Sequence, residues 1–351
     1  MCVIVFTDQL NFFSRGIVSS ISEKLVKQKF ANSIAIELSN GFTVTNTNGS
    51  DDRLVQKNFI QLIKKCPNTI VLGSSRVRLI SGIILKDSSI INSGVSSASL
   101  EDIVALYYLY EKRDCDIKKV IIGIDPWILN DENDLNSWRT LENEYYMMAN
   151  MLFNNNTPQY PYFKPTPLRN LKALFSYKYF TSSLQYLRKN IAMDYKIANK
   201  RENLGTTISP DGSLTYSAKT RNLTQQLVDL KAKGIIENDE GKSLSNYTAL
   251  SNRYSLIFTK FINHLQEKNI KIIFYFPPFH PTVFHTLKTT NKYKISLEAE
   301  AYFKKFALKN KIKIIGSYNP EDNNLTSHDF VDGVHIRENG IKQIFNQNNL
   351  R

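Results

Sequence analysis

The sequence predicts an α/β fold: an open, doubly wound core around a central, mainly parallel five-stranded sheet, interrupted by a largely helical insertion. Two observations carry this expectation. Five short apolar segments rich in β-branched residues stop at Gly or Pro, as strands buried on both faces do. Amphipathic helix patterns separate them, and such alternation implies a parallel sheet covered on both sides. A length of 351 residues leaves room for the insertion.

Taken in order, residues 1–66 read as a mostly helical N-terminal segment, broken by a polar loop from Asn40 to Asp52. The first part of the core, 67–126, holds the strand segments Thr69–Gly73, Ser89–Gly94 and Lys119–Asp125. Ahead of the third, Ser99 precedes Glu101 and Asp102 in a capping pattern, and Ile103, Leu106, Tyr107 and Tyr110 share the helix face that follows. Residues 127–249 form the insertion, rich in Asn, Tyr and Pro, with a helical piece at Leu168–Arg188; it is expected to lie over one end of the sheet. The core resumes over 250–351. There Leu250, Tyr254, Ile257, Phe261 and Leu265 make an apolar stripe, and a helix over Ser296–Lys309 separates the strands Ile270–Phe276 and Lys311–Gly316. Five strands in this alternation suit a flavodoxin-like arrangement.

At 42% hydrophobic and 22% charged residues, the composition excludes collagen, low-complexity disorder and coiled coil. Lys and Arg number 45 against 32 Asp and Glu, a formal charge of +13. That excess favours an acidic partner: nucleic acid, an anionic membrane surface or a polyanionic polymer. Residues 162–201 concentrate it, with nine Lys/Arg, a single acid (Asp194) and eight interleaved aromatics. A solvated helix face would read the same way; the sharper reading is a surface for an anionic polymer or lipid headgroups. No nucleic-acid module accompanies the segment, so no nucleic acid is expected.

Cys2, Cys66 and Cys115 are widely spaced, with no Cys-x-x-Cys pair, which supports neither a zinc ribbon nor a disulfide scaffold. The apolar run Cys2–Phe6 is shorter than a signal peptide's core of about 7–15 residues. The chain therefore reads as soluble, with an upstream anchor left open. No ligand spacing suggests a metal, and no Gly-rich phosphate loop follows the first strand.

Ligands of a parallel sheet bind beyond the C-terminal strand ends. Those ends carry Gly73-Ser74-Ser75-Arg76, then Asn92-Ser93-Gly94, then Gly123-Ile124-Asp125-Pro126-Trp127, then Pro277-Pro278-Phe279-His280-Pro281. Asp332-Gly333-Val334-His335 follows the last strand. A serine on a tight strand-to-helix turn is exposed beside backbone N–H groups, and a histidine oriented by a carboxylate can take its proton. Asp332 and His335 are spaced to share one turn. Asp125 pairing with Arg76 across adjacent strand ends is one reading of those two residues. His280 between prolines reads first as a loop wall and second as a substrate contact.

In this order the blocks resemble the SGNH/GDSL hydrolase superfamily. Val71-Leu-Gly-Ser-Ser-Arg76, Ile121-Ile-Gly-Ile-Asp-Pro-Trp127 and Phe276-Pro-Pro-Phe-His-Pro281 are most similar to its bacterial cell-envelope branch, with DltD-like and polysaccharide O-acetylation-like proteins. The resemblance implies the three-layer fold of that superfamily, with Ser75 as nucleophile, His335 as general base and Asp332 as its orienting carboxylate. It places the oxyanion hole at the Ser75 N–H and Gly94. Asp125 stands where the third block usually has Asn, and a carboxylate accepts hydrogen bonds but cannot donate them. Asn92 is the candidate substitute donor, and Arg76, Asp125, Trp127 and His280 are expected to be structural or substrate-contacting.

The implied function is acyl transfer or ester hydrolysis through an acyl-serine, on an acylated cell-envelope polysaccharide or teichoic-type polymer, without a cofactor. The expected setting is the extracytoplasmic side of a bacterial envelope, with membrane-surface association or a membrane-bound acyltransferase as partner. The main alternative is a catalytically weak or inactive accessory protein that binds polymer or such an acyltransferase. A small-ester hydrolase comes third.

Overall fold

The computed structural model describes residues 19–47, 49–154, 195–198, 205–237, 244 and 247–347. The basic segment 162–201 lies outside these residues except for its strand at 195–198, as does the helical piece at Leu168–Arg188.

In chain order, α1 (Ser19–Ser39) leads to β1 (Thr43–Thr45), α2 (Asp52–Leu62), β2 (Thr69–Leu72) and β3 (Ile90–Asn92). Then come α3 (Leu100–Glu111), β4 (Lys119–Gly123), α4 (Glu142–Leu152), β5 (Lys196–Ala198), β6 (Thr207–Ile208), β7 (Leu214–Thr215) and α5 (Gln225–Glu237). The chain continues through α6 (Asn252–Glu267), β8 (Lys271–Phe276), α7 (Pro281–Thr289), α8 (Lys294–Lys309), β9 (Lys313–Gly316) and α9 (Glu338–Gln347).

The main sheet has five strands in the order β3-β2-β4-β8-β9, and every pairing is parallel. Side chains along a strand alternate between faces, and here the alternation divides two cores. Ile70, Leu72, Val120, Ile122, Phe274 and Phe276 join the cluster built with α1, α2, α3, α6 and α8. Val71, Ile121, Ile273, Tyr275 and Ile315 join the cluster built with α9. The fold is therefore α/β, with both faces of the sheet covered. Such burial removes about 1.5–3 kcal/mol of apolar exposure per large side chain.

The helices start where local chemistry allows. Ser99 caps α3, its hydroxyl accepting from the Asp102 N–H while Asp102 reaches back to the Ser99 N–H. Asp102 is also held by Arg53 through two bonds of 2.7 Å, which fastens α2 to α3 in a buried ion pair. On α6, Tyr254, Ile257, Phe261 and Leu265 are buried, with Phe258 and Ile262 beside them.

Three expectations are corrected. The polar stretch from Asn40 to Asp52 contains β1, and the insertion contains β5, β6 and β7 as well as helices. These four strands form a second, antiparallel sheet in the order β5-β1-β6-β7. Strands of two or three residues leave no readable period, and their partners are remote: Val44 pairs with both Ile197 and Ile208. Cys66 and Cys115 are joined in a disulfide, with Cα atoms 5.4 Å apart. They precede β2 and β4, which are neighbours only because of the strand order. His264, which has no partner evident in the sequence, lies 2.8 Å from Glu111 on α3.

Candidate active site

The strand order reverses direction at β2: β3 lies on one side of it and β4 on the other. The crevice at such a switch point, beyond the C-terminal strand ends, is where open α/β sheets bind ligands. Gly73 leaves β2 with φ 147°, and a Cβ there would press on Val77 and the Gly123 backbone. The chain then turns sharply into a single 3-10 turn, Ser75–Val77, capped by the Ser74 hydroxyl on the Arg76 N–H. Ser75 is the first residue of that turn. Its N–H has no intrahelical acceptor.

Asp332, Val334 and His335 make a compact turn, closed by a bridge between Phe330 and Ile336. Asp332 Oδ1 accepts the N–H groups of Val334 (2.9 Å) and His335 (2.8 Å), and Oδ2 lies 2.8 Å from His335 Nδ1. His335 Nε2 is 2.8 Å from Ser75 Oγ, across 260 residues of chain. An ionised carboxylate only accepts. In the neutral ring the proton therefore sits on Nδ1, and the Nε2 lone pair faces the serine hydroxyl. Burial works to raise the Asp332 pKa, but the His335 bond and charge and the two backbone N–H groups outweigh it, to about 2.

Arg76 and Asp125 are both fully buried and 3.0 Å apart. The same guanidinium donates to the carbonyls of Val334 (3.1 Å), Pro277 (2.5 Å) and Pro278 (2.8 Å), and lies 4.0 Å over the Phe279 ring. It thus binds the histidine turn to the ends of β4 and β8. Burial pushes the Asp125 carboxyl above its ordinary value, against the pull of Arg76 and the Ser74 hydroxyl. Trp127 is buried and donates its indole N–H to the Ala98 carbonyl at 2.8 Å, a wall position.

The donors expected at Gly94 and Asn92 are not free. The Gly94 N–H is given to Asn92 Oδ1 (2.9 Å), and Asn92 Nδ2 donates to the carbonyls of Val77 and Ile80 at 2.8 Å each. Asn92 has no exposed surface. Its amide satisfies the backbone around the serine turn, because buried carbonyls must find donors. This corrects the expected oxyanion hole: the Ser75 N–H is the one donor of that set not committed elsewhere.

His280 ends its loop as the buried N-cap of α7. Its Nδ1 accepts the Thr282 N–H at the start of α7, and its own N–H donates to the Gly333 carbonyl at 3.0 Å. Its Nε2 lies 3.2 Å from Asp229 on α5 without hydrogen-bond alignment. Burial lowers its pKa despite that carboxylate. His280 therefore supports the histidine turn from behind.

Three neighbours escaped the sequence reading. The Tyr216 ring meets the His335 ring edge-on, 6.5 Å between centroids, and burial and the Asp332 charge hold its hydroxyl protonated. Arg78 covers Gly94 and pairs with Asp52 at 3.2 Å. None of the three sits in a motif. Tyr216 reaches the site only through the β6–β7 hairpin, where the Leu214 N–H donates to the Arg78 carbonyl. Among the described residues, no group of three or more His, Cys, Asp or Glu is placed to hold a metal ion.

No protein-family model matches the chain, and no curated protein matches it.

Proposed function

We propose that the chain is an SGNH-type serine acyltransferase or esterase acting on an acylated cell-envelope polysaccharide or teichoic-type polymer. The observation that carries the reading is the Ser75–His335–Asp332 relay, two contacts of 2.8 Å, at the switch point of the sheet. His335 takes the Ser75 proton as Oγ attacks an acyl carbonyl, Asp332 holds the ring and stabilises the imidazolium, and an acyl-serine forms as the donor's C–O bond breaks and its departing oxygen takes the proton back from His335. Water or a polymer hydroxyl then accepts the acyl group. The strand order β3-β2-β4-β8-β9 is that of flavodoxin-like sheets and supports the superfamily resemblance. The Cys66–Cys115 bond favours an oxidising, extracytoplasmic setting. Among the described residues no helix is long and apolar enough to cross a membrane.

A second reading, a catalytically weak or inactive accessory protein, is favoured by one observation: Asp125, Gly94 and Asn92 offer no donor to an oxyanion. Removing one such donor costs about 2.7–4 kcal/mol in a well-studied protease.

A serine-directed fluorophosphonate and an activated acetyl ester separate the two. The first reading expects one label, on Ser75, absent in Ser75→Ala and slowed strongly in Asp332→Asn, where the amide can hold the wrong tautomer. The comparable change in a serine protease costs about 10⁴ in rate. A folded wild-type chain that neither reagent labels would leave the accessory reading.

A further inference from the structure

Every helix-to-strand connection of the main sheet arrives at one pole, and every strand-to-helix connection leaves from the other, where Ser75 lies. The five arriving segments are 62–69, 85–90, 111–119, 267–271 and 309–313. Together they hold twelve Lys/Arg against five Asp/Glu, a formal +7. The five departing segments are 72–82, 92–100, 123–142, 276–281 and 316–338. They hold four Lys/Arg against ten Asp/Glu, a formal −6.

Part of the basic excess answers the helices. The C-termini of α2, α3, α6 and α8 end at this pole, each equivalent to about −0.5 charge, so together on the order of −2. Most of the excess remains. Lys64, Lys65, Lys271 and Lys311 are exposed and make no ion pair among the described residues. Lys271 and Lys311 line a cleft of about 190 Å³ between the starts of β8 and β9. Two of the five segments are fastened to each other by Cys66–Cys115, which holds the pole in one shape.

Large apolar side chains stand among these lysines. Leu308, on the last turn of α8, is 82% exposed, and Leu62, the last residue of α2, is 40% exposed. A soluble polyanion would satisfy the lysines and leave the leucines in water. The boundary between headgroups and acyl chains takes both. We propose that this pole is a docking surface for an anionic phospholipid bilayer, which would turn the Ser75 end away from the membrane. The inference is independent of the chemistry proposed for Ser75, because binding alone reads it.

The test is sedimentation of the full chain with phosphatidylcholine vesicles, with and without phosphatidylglycerol, at low salt. Wild type is expected to sediment only with the anionic vesicles. The Lys64→Glu, Lys65→Glu, Lys271→Glu, Lys311→Glu variant is expected to bind more weakly by about fivefold or more per lysine changed. Should it fold poorly by circular dichroism, the milder Lys271→Gln, Lys311→Gln pair gives the same comparison. Leu308→Gln is expected to weaken vesicle binding while leaving binding to soluble poly(glycerol phosphate) unaltered. The proposal is overturned if the lysine variants sediment like wild type, since residues 162–201 are intact in all of them. It is equally overturned if the soluble polymer binds through the same lysines and Leu308→Gln changes neither interaction, which would make the pole a polymer site.

Discussion

Asp332 does two things with one carboxylate. Oδ1 closes its own turn by accepting two backbone N–H groups, and Oδ2 is left for the histidine. Its carboxyl is held at about 2, below the ordinary 3.8. A depressed folded pKa contributes stability that is present above the unfolded value and lost as pH falls through the folded one. The window is therefore about pH 4 down to pH 2, and the contribution is at most about 2.5 kcal/mol. Urea midpoints measured across that window should fall less steeply for Asp332→Asn than for wild type. Parallel curves would show that the pair with His335 adds nothing to the folded state.

At the scale of elements, the β6–β7 hairpin decides what reaches the serine. Asp211 accepts the N–H of Gly82, its carbonyl takes the Asn92 N–H, and Tyr216 follows β7 into the site. The turn between the two strands depends on Gly212, whose φ is 74° and whose missing Cβ would fall on the Asn92 carbonyl. Ala at that position meets both a left-handed backbone and a main-chain obstacle, so Gly212→Ala should cost about 1–3 kcal/mol. Because the hairpin would be displaced from β3, fluorophosphonate labelling should also slow. A variant with wild-type stability and labelling would show that the turn can relax at no cost, and that the hairpin does not shape the site.

Across the whole molecule, the disulfide and the reactive serine lie at opposite ends of the sheet. The Cys66–Cys115 bond closes a separation of 49 residues and ties the segments entering β2 and β4. Constraining the unfolded chain over such a loop is worth about 2–4 kcal/mol. Denaturation with and without reductant, or of Cys66→Ser with Cys115→Ser, should show that loss. Labelling at Ser75, which sits beyond the far ends of those strands, should be unaffected. A fall in labelling equal to the fall in stability would mean that the two poles are not mechanically separate.

The five strands, α3 with its Ser99–Asp102 cap and the α6 stripe were legible because each is local: a run of Ile and Val, a capping pair, apolar residues three and four apart. The spacing of Asp332 and His335 was legible for the same reason, since one turn holds both. What the spacing did not carry was the reach of His335 to a serine 260 residues earlier, which the strand order creates. The second sheet, the disulfide and Tyr216 depend on pairings between remote segments, and strands of two or three residues leave no period to find. The Gly94 and Asn92 donors show the converse. Their residue types suit an oxyanion hole, yet burial obliges Asn92 to satisfy the carbonyls of Val77 and Ile80, and its Oδ1 then takes the Gly94 N–H. Sequence alone determined which residues can do chemistry and which elements carry them. Tertiary structure decided which of their donors and acceptors remain unspent, because hydrogen bonding in a buried site is settled by neighbours that the chain brings from far away.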